Sequence, residues 1–199
     1  MRIHQVNPIV EPFLDDRDIV YAAKHALEAK FKFTGFVTLE HFRNQELIHK
    51  ESGFNTFTTE GMAYMLNVMF KDATRPSAQY VGIFKNNISP ANANTAAVHL
   101  GAAGTYGECQ DADYTPATNR PAYTAATTTT ASITNAANKA EFTIAQDISP
   151  GVYGAFITTT QPKIDATGKL MCAKKFSAVR PVLTADVLAI TYVISCTSS

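Results

Sequence analysis

From Val187 to Ile194 the chain alternates strictly. Val187, Ala189, Thr191 and Val193 take one side of an extended strand, and Leu188, Ile190, Tyr192 and Ile194 take the other. Side chains of a strand point to opposite faces in turn, so two apolar sides describe a central strand with cover over both faces. The rest of the chain has to supply that cover. Short extended runs recur at Tyr80–Phe84, Glu141–Ile144, Val152–Thr158 and Lys169–Phe176. Turn signals at Ser149-Pro150-Gly151, Ala166-Thr167-Gly168 and Arg180-Pro181 are expected to separate the later strands. Several short strands with irregular turns predict a mainly β fold, a β-sandwich or jelly-roll-like body with one packed helix. No internal repeat is visible.

The period changes twice before that region. Asp15-Asp16 offers a helix N-cap, and Ile19, Ala22, Ala23, Ala26 and Leu27 then fall on one face at helical spacing. Pro8 and Pro12 keep the preceding residues extended. Residues 1–32 therefore read as an N-terminal extended arm plus a short helix, and 33–199 as the β-sandwich body. From Phe36 to Phe42 the period is two, and Glu46 to Lys50 returns after Arg43-Asn44-Gln45, which predicts a β-hairpin over 36–50. A helix over 59–70 follows, opened by Thr58 or Thr59, with Met62, Met65, Leu66 and Met69 spaced as a buried face.

Half of the stretch Ala91–Ala140 is Ala or Thr, 15 and 10 residues respectively, and only Glu108, Asp111, Asp113, Arg120 and Lys139 carry charge. With its flanks it reads as a long Ala/Thr-rich loop over 85–140. Small uncharged side chains suit a surface that lies against other protein, and they offer little acid, base or nucleophilic chemistry. The whole chain is 17% charged, below the usual quarter, and its 17 basic and 17 acidic residues cancel. With no basic field, direct binding of nucleic acid is not expected. Neutrality also leaves little repulsion between copies. The opening Met1-Arg2-Ile3-His4 lacks a signal-peptide pattern, Val187–Ile194 is too short to span a bilayer, and Cys109, Cys172 and Cys196 show no CxxC spacing. Synthesis in a reducing cytoplasm, without membrane contact or a disulfide framework, is the expectation.

Candidate chemistry is sparse. Glu108, Asp111 and Asp113 are the acidic cluster of the body, but they lack the Gly and distal Glu of a calcium loop, so a solvated loop or subunit contact is expected. His4, His25, His41, His49 and His99 show no metal-ligand spacing, and His41 and His49 are expected to form a cross-strand surface pair. Gly101-Ala102-Ala103-Gly104 lacks the rest of a phosphate-binding sequence, and no GxSxG occurs. No metal, no cofactor and no catalytic residue is expected. Tyr106, Tyr114 and Tyr123 recur through the Ala/Thr stretch, either as anchors of a loop on the sheet or as rings for stacking on sugars.

One set of segments resembles the head decoration, or cement, proteins of tailed bacteriophages. It comprises Asn55–Gly61 with the helix Met62–Phe70, Tyr80–Phe84, Tyr114-Thr115, Asn119–Tyr123, Asn135–Ile144, Tyr153–Phe156 and Asp186–Tyr192. The resemblance implies a β-sandwich or jelly-roll subunit on the outside of the capsid, made in the host cytoplasm. Such a subunit would bridge joints between major capsid protein subunits, stabilise the shell and associate with itself as a dimer or trimer. On that reading the partner contacts are Ile3, Val6, Ile9 and Phe13 of the arm with Tyr106, Tyr114 and Tyr123 of the loop. The alternative is a host-recognition or carbohydrate-binding module on a tail or head fibre, using the tyrosines.

Overall fold

The structure, a computed structural model, describes residues 32–197. In chain order its elements are β1 (Lys32–Arg43), β2 (Glu46–Phe54), β3 (Thr56–Phe57), α1 (Thr59–Phe70), β4 (Gln79–Phe84) and α2 (Ala96–His99). Then follow β5 (Tyr114–Thr115), β6 (Ala122–Tyr123), β7 (Ser132–Thr134), β8 (Ala140–Ile144), β9 (Ile148–Thr158), β10 (Leu170–Val182) and β11 (Val187–Thr197). One sheet runs β2-β1-β11-β8-β5, with β7 added beside β11, and the other runs β3-β10-β9-β4-β6. The fold is a β-sandwich. The expected arm and helix of residues 1–32 lie almost wholly outside the described residues.

The strand β11 is central, with β1 on one side and β8 and β7 on the other. Leu188, Ile190 and Tyr192 face the core between the sheets, where they meet Val37 and Leu39 of β1, Val81 and Ile83 of β4, and Ala155 and Ile157 of β9. Buried Asn135 extends this pairing, donating to the Ile190 carbonyl at 3.1 Å and accepting from the Tyr192 N–H at 2.7 Å.

The β1–β2 hairpin turns at Asn44 and Gln45, with φ of 51° and 69°. Two successive left-handed residues match the twist of antiparallel strands, and Asn tolerates that region. The ladder then slips by one residue, because His41 faces His49 whereas Phe42 faces Leu47, and Ile48 is the extra residue of a bulge.

Thr58 caps α1. Its hydroxyl accepts the Gly61 N–H at 2.9 Å and donates to the Leu170 carbonyl, which fixes the first turn on β10. A Cβ at Gly61 would lie 2.6 Å from the Met171 Cα, so the helix rests directly on strand backbone. Glu60 accepts the N–H groups of Ala96 and Leu170 at 2.8 and 2.9 Å, joining α1 to α2 and β10. Met62 and Met65 pack on the core. The expected buried face is wrong beyond them: Leu66 and Met69 are 56% and 72% exposed, and the adjoining Phe70 is 77% exposed. The helix is anchored through its first half, Thr58 to Met65, and Leu66, Met69 and Phe70 are left uncovered by the described residues.

Two expected separators are not turns between strands. Ser149-Pro150-Gly151 lies within β9 and Arg180-Pro181 within β10, where Arg180 faces Val152 in a ladder with several register shifts. Gly151, at φ 139°, sits against the Arg180 carbonyl, where a side chain has no room. The two breakers therefore lie opposite each other, where the β9–β10 register shifts on both sides of Arg180. Ala166-Thr167-Gly168 does separate β9 from β10.

The segment 85–140 is more than a connection. It contributes β5 and β6 to the edges of the two sheets and β7 to the side of β11. It also covers the outer face of β4 and β9, where Phe84 and Phe156 join Ala96, Leu100 and Tyr106 in a second apolar cluster. That outer face is built from two cross-strand pairs, Gly82 opposite Phe156 and Phe84 opposite Gly154. Each glycine leaves the space that its neighbour's ring fills. Between β6 and β7, Ala126–Ala131 run exposed from one sheet to the other, with bonds mainly among Thr128, Thr130 and Ser132.

Replacing Gly154 by Ala sets a gain of about 0.5–1 kcal/mol in strand propensity against a clash with the Phe84 ring and the Lys174 carbonyl. The clash with backbone wins. Urea unfolding of Gly154→Ala is expected to show a loss of about 2 kcal/mol; equal or raised stability would show that the pairs are loosely packed.

Candidate functional site

Three of the five charged residues of the Ala/Thr-rich stretch, Glu108, Asp113 and Arg120, are buried and paired inside the body. Glu108 and Arg120 are both buried, at 2% and 1% exposure, and meet through two N–H donors at 2.6 and 2.8 Å. The Gly101 N–H gives Glu108 a third bond at 2.8 Å. The remaining Arg120 donors reach the Thr160 carbonyl and hydroxyl at 2.8 and 3.0 Å and the Asp165 carbonyl at 3.0 Å. Its guanidinium also lies 5.6 Å from the Phe156 ring centre. One arginine thus joins the long connection to the β9–β10 loop. Burial pushes the Glu108 carboxyl up, and the Arg120 pair and the Gly101 N–H act against that.

Beside it, buried Lys163 donates to the Tyr114 and Gln110 carbonyls at 3.0 and 3.3 Å, and its ammonium sits 3.4 Å from the Tyr114 ring centre. Burial lowers this lysine to about 8, while Asp111, Asp113 and Glu108 act in the opposite direction. Asp113 accepts from Lys85 at 2.8 Å, the Gln110 N–H at 2.6 Å and Gln146 at 3.1 Å. Burial raises the Asp113 carboxyl, but these donors outweigh it and hold the group below its usual range. The expectation of a solvated acidic loop is corrected for Glu108 and Asp113, because partners for both come from elsewhere in the fold; Asp111 is exposed.

A second hub is centred on Asp186, just before β11. It accepts from His41 at 2.9 Å, Arg43 at 2.9 and 2.7 Å, and the Leu183 N–H at 2.8 Å. Burial acts to raise the carboxyl, and the bonds from Arg43, Leu183 and His41 overcome it and set it well below the ordinary range. His41 and His49 do face each other, but not as a surface pair, since His41 is 3% exposed and committed to Asp186.

The tyrosines named as partner contacts sit differently. Tyr106 and Tyr114 are fully buried, Tyr106 stacked on Phe84 at 4.7 Å and Tyr114 edge-on to Phe142 at 4.9 Å. Neither ring is presented to a partner or a sugar, so both are anchors of the connection on the sheets. Tyr123 is half-buried, with its hydroxyl 3.3 Å from the Ile133 carbonyl. Ile3, Val6, Ile9 and Phe13 lie outside the described residues. Cys109 and Cys172 are free and buried, and burial pushes both thiols up, Cys172 to about 12, so neither is a thiolate at neutral pH. Among the described residues, no group of three or more His, Cys, Asp or Glu is placed to hold a metal ion, and no helix is long and apolar enough to cross a membrane.

The body also exposes large apolar side chains. Leu66, Met69 and Phe70 form one stripe on α1, and Phe36 and Phe54 pair edge-on at 5.4 Å on the hairpin. The sequence pattern hid the first as core. Nothing in the local sequence marks Arg120 or Asp186 as the centre of a buried hub, beyond Arg120 being a lone arginine in a nearly uncharged stretch. No family model, curated protein or solved structure matches this chain.

Breaking a buried ion pair by removing one partner costs about 3–5 kcal/mol. Arg120→Met is expected to destabilise by that amount in urea unfolding, and a loss of under ~1 kcal/mol would remove Arg120 as the tie. Asp186 and Asp113 are held low in the folded state, so their contribution is present above about pH 4 and is lost as pH falls toward their folded values. Asp186→Asn should therefore lower stability at neutral pH by about 3 kcal/mol and flatten the acid limb of a pH–stability curve; an unchanged limb would contradict the assignment.

Proposed function

We propose that this chain is a structural virion protein that binds the outer surface of a phage capsid across joints of the major capsid protein and stabilises the shell. The observation that carries the reading is the contrast between interior and surface. Glu108, Arg120, Asp113 and Asp186 are spent on internal ties, while Leu66, Met69 and Phe70 and the uncharged Ala126–Ala131 segment face outward. Large exposed apolar side chains clustered on one helix mark a surface for protein contact. The sequence resemblance to head decoration proteins supplies the kind of partner.

The mechanism on this reading is mass action. A subunit that binds only the assembled lattice stabilises it by RT ln(1 + [L]/Kd), about 2.7 kcal/mol per site at a hundred times Kd. Repeated over many sites, the increment raises the temperature and internal pressure that the shell survives. On this reading Ile3, Val6, Ile9 and Phe13 would add apolar area to the attachment.

Purified protein is expected to bind heads that lack it and to raise their disruption temperature. Heads that neither take it up nor gain stability would refute the function. Leu66→Ser with Met69→Ser and Phe70→Ser should weaken uptake without loss of fold, because all three side chains are exposed. Deleting residues 1–30 should also weaken attachment and leave the circular dichroism of the β-body intact; an unfolded product would make those residues part of the body.

A further inference from the structure

The four terminal strands of the two sheets are unequal. Strands β3, β5 and β6 have two residues each, whereas β2 has nine. A short edge offers a stranger almost no backbone to pair with, and a long one is a template for another strand. Among the described residues, β2 has a strand partner on one side only, β1. Its positions His49, Glu51 and Gly53 face inward over β10, where Glu51 takes the N–H and hydroxyl of Ser177 and Gly53 leaves room for the Lys174 side chain. Outward, Lys50, Ser52 and Phe54 are all exposed, Phe54 at 73%.

We propose that β2 pairs antiparallel with β2 of a second copy across a twofold axis centred on Ser52, joining two sandwiches through one continuous sheet. The occupant follows from charge. Opposed residues in such a pair lie on the same face, so centring on Lys50 sets Lys against Lys, and centring on Glu51 sets Glu against Glu. Centring on Ser52 opposes no like charges: Lys50 meets the second copy's Phe54 twice, Ser52 meets Ser52, and Glu51 meets Gly53. The Phe54 ring, already edge-on to Phe36, then lies beside the stem and ammonium of a lysine, a favourable contact for an exposed aromatic. The bulge at Ile48 bends the strand away and ends the ladder there. The chain's zero formal charge places no long-range repulsion between the copies.

This pairing deepens the self-association in the reading above and is tested on purified protein without capsids, so either can fail alone. In a Cys196→Ser background, Ser52→Cys should cross-link to itself under mild oxidation about tenfold faster than Lys50→Cys. The Lys50 positions of the two copies are four residues apart in this register, whereas the Ser52 positions are opposite. Equal rates, or cross-linking of neither, would overturn the register. In sedimentation of the parent chain, Phe54→Lys should weaken association by about tenfold by opposing Lys50, while Phe54→Glu, which sets a second carboxylate beside a Lys50 already bonded to Glu40 at 2.8 Å, should preserve it. Loss with both, or with neither, would overturn the proposal, and unchanged urea midpoints would certify that all variants are folded.

Discussion

The contact between Arg120 and Glu108 decides how more than a quarter of this chain is arranged. A guanidinium with all its donors used, buried from solvent, tolerates little displacement, because every lost bond leaves a buried charge unsatisfied. Its partners come from the long connection on one side and the β9–β10 loop on the other, so the Ala/Thr-rich chain must lie against the sheet where that geometry is met. Apolar burial alone could not do this. Alanine and threonine bury little area each and pack almost as well in neighbouring registers. The ion pair supplies position, and Tyr106 and Tyr114 supply the area that holds the position.

This division of labour explains which parts of the fold were legible in sequence. The hairpin, α1, β4, β8 and the alternation of β11 could be read because each depends on local periodicity, and period two or 3.6 is written in neighbouring residues. The face of α1 could not, since Leu66 and Met69 keep helical spacing whether or not a sheet lies over them. Nor could β5, β6 and β7, two or three residues long, whose pairing is set by distant strands. Pro150 and Pro181 look like ends of strands because each interrupts a ladder by itself; in the fold they lie opposite one another within β9 and β10, where the ladder shifts register on both sides of Arg180. The buried hubs were hidden for a related reason. Glu108 and Asp113 carry no local mark that their partners are Arg120 and Lys85, and Asp186 shows nothing of His41, more than a hundred residues away.

The same pairing shapes the exterior. A chain with few charges that sends several inward is left with an outer surface richer in methyl groups, hydroxyls and rings than its composition suggests. Such a surface is poorly protected by repulsion, and protection has to come from geometry. Short edge strands at β3, β5 and β6 and the bulge at Ile48 are geometric protections of that kind, and the rest of β2 lacks one.

The bare span from Ala126 to Ala131 has a further consequence. It runs between the two sheets, with side-chain bonds mainly among Thr128, Thr130 and Ser132, and it is tied to β11 at its end, where the Ala131 carbonyl accepts the Cys196 N–H at 2.8 Å. Doubling such a span adds only about 0.6 kcal/mol of closure entropy. Foreign peptides spliced there would be displayed at the margin of an intact sandwich, so the most monotonous stretch of the molecule is also its most permissive port for new sequence.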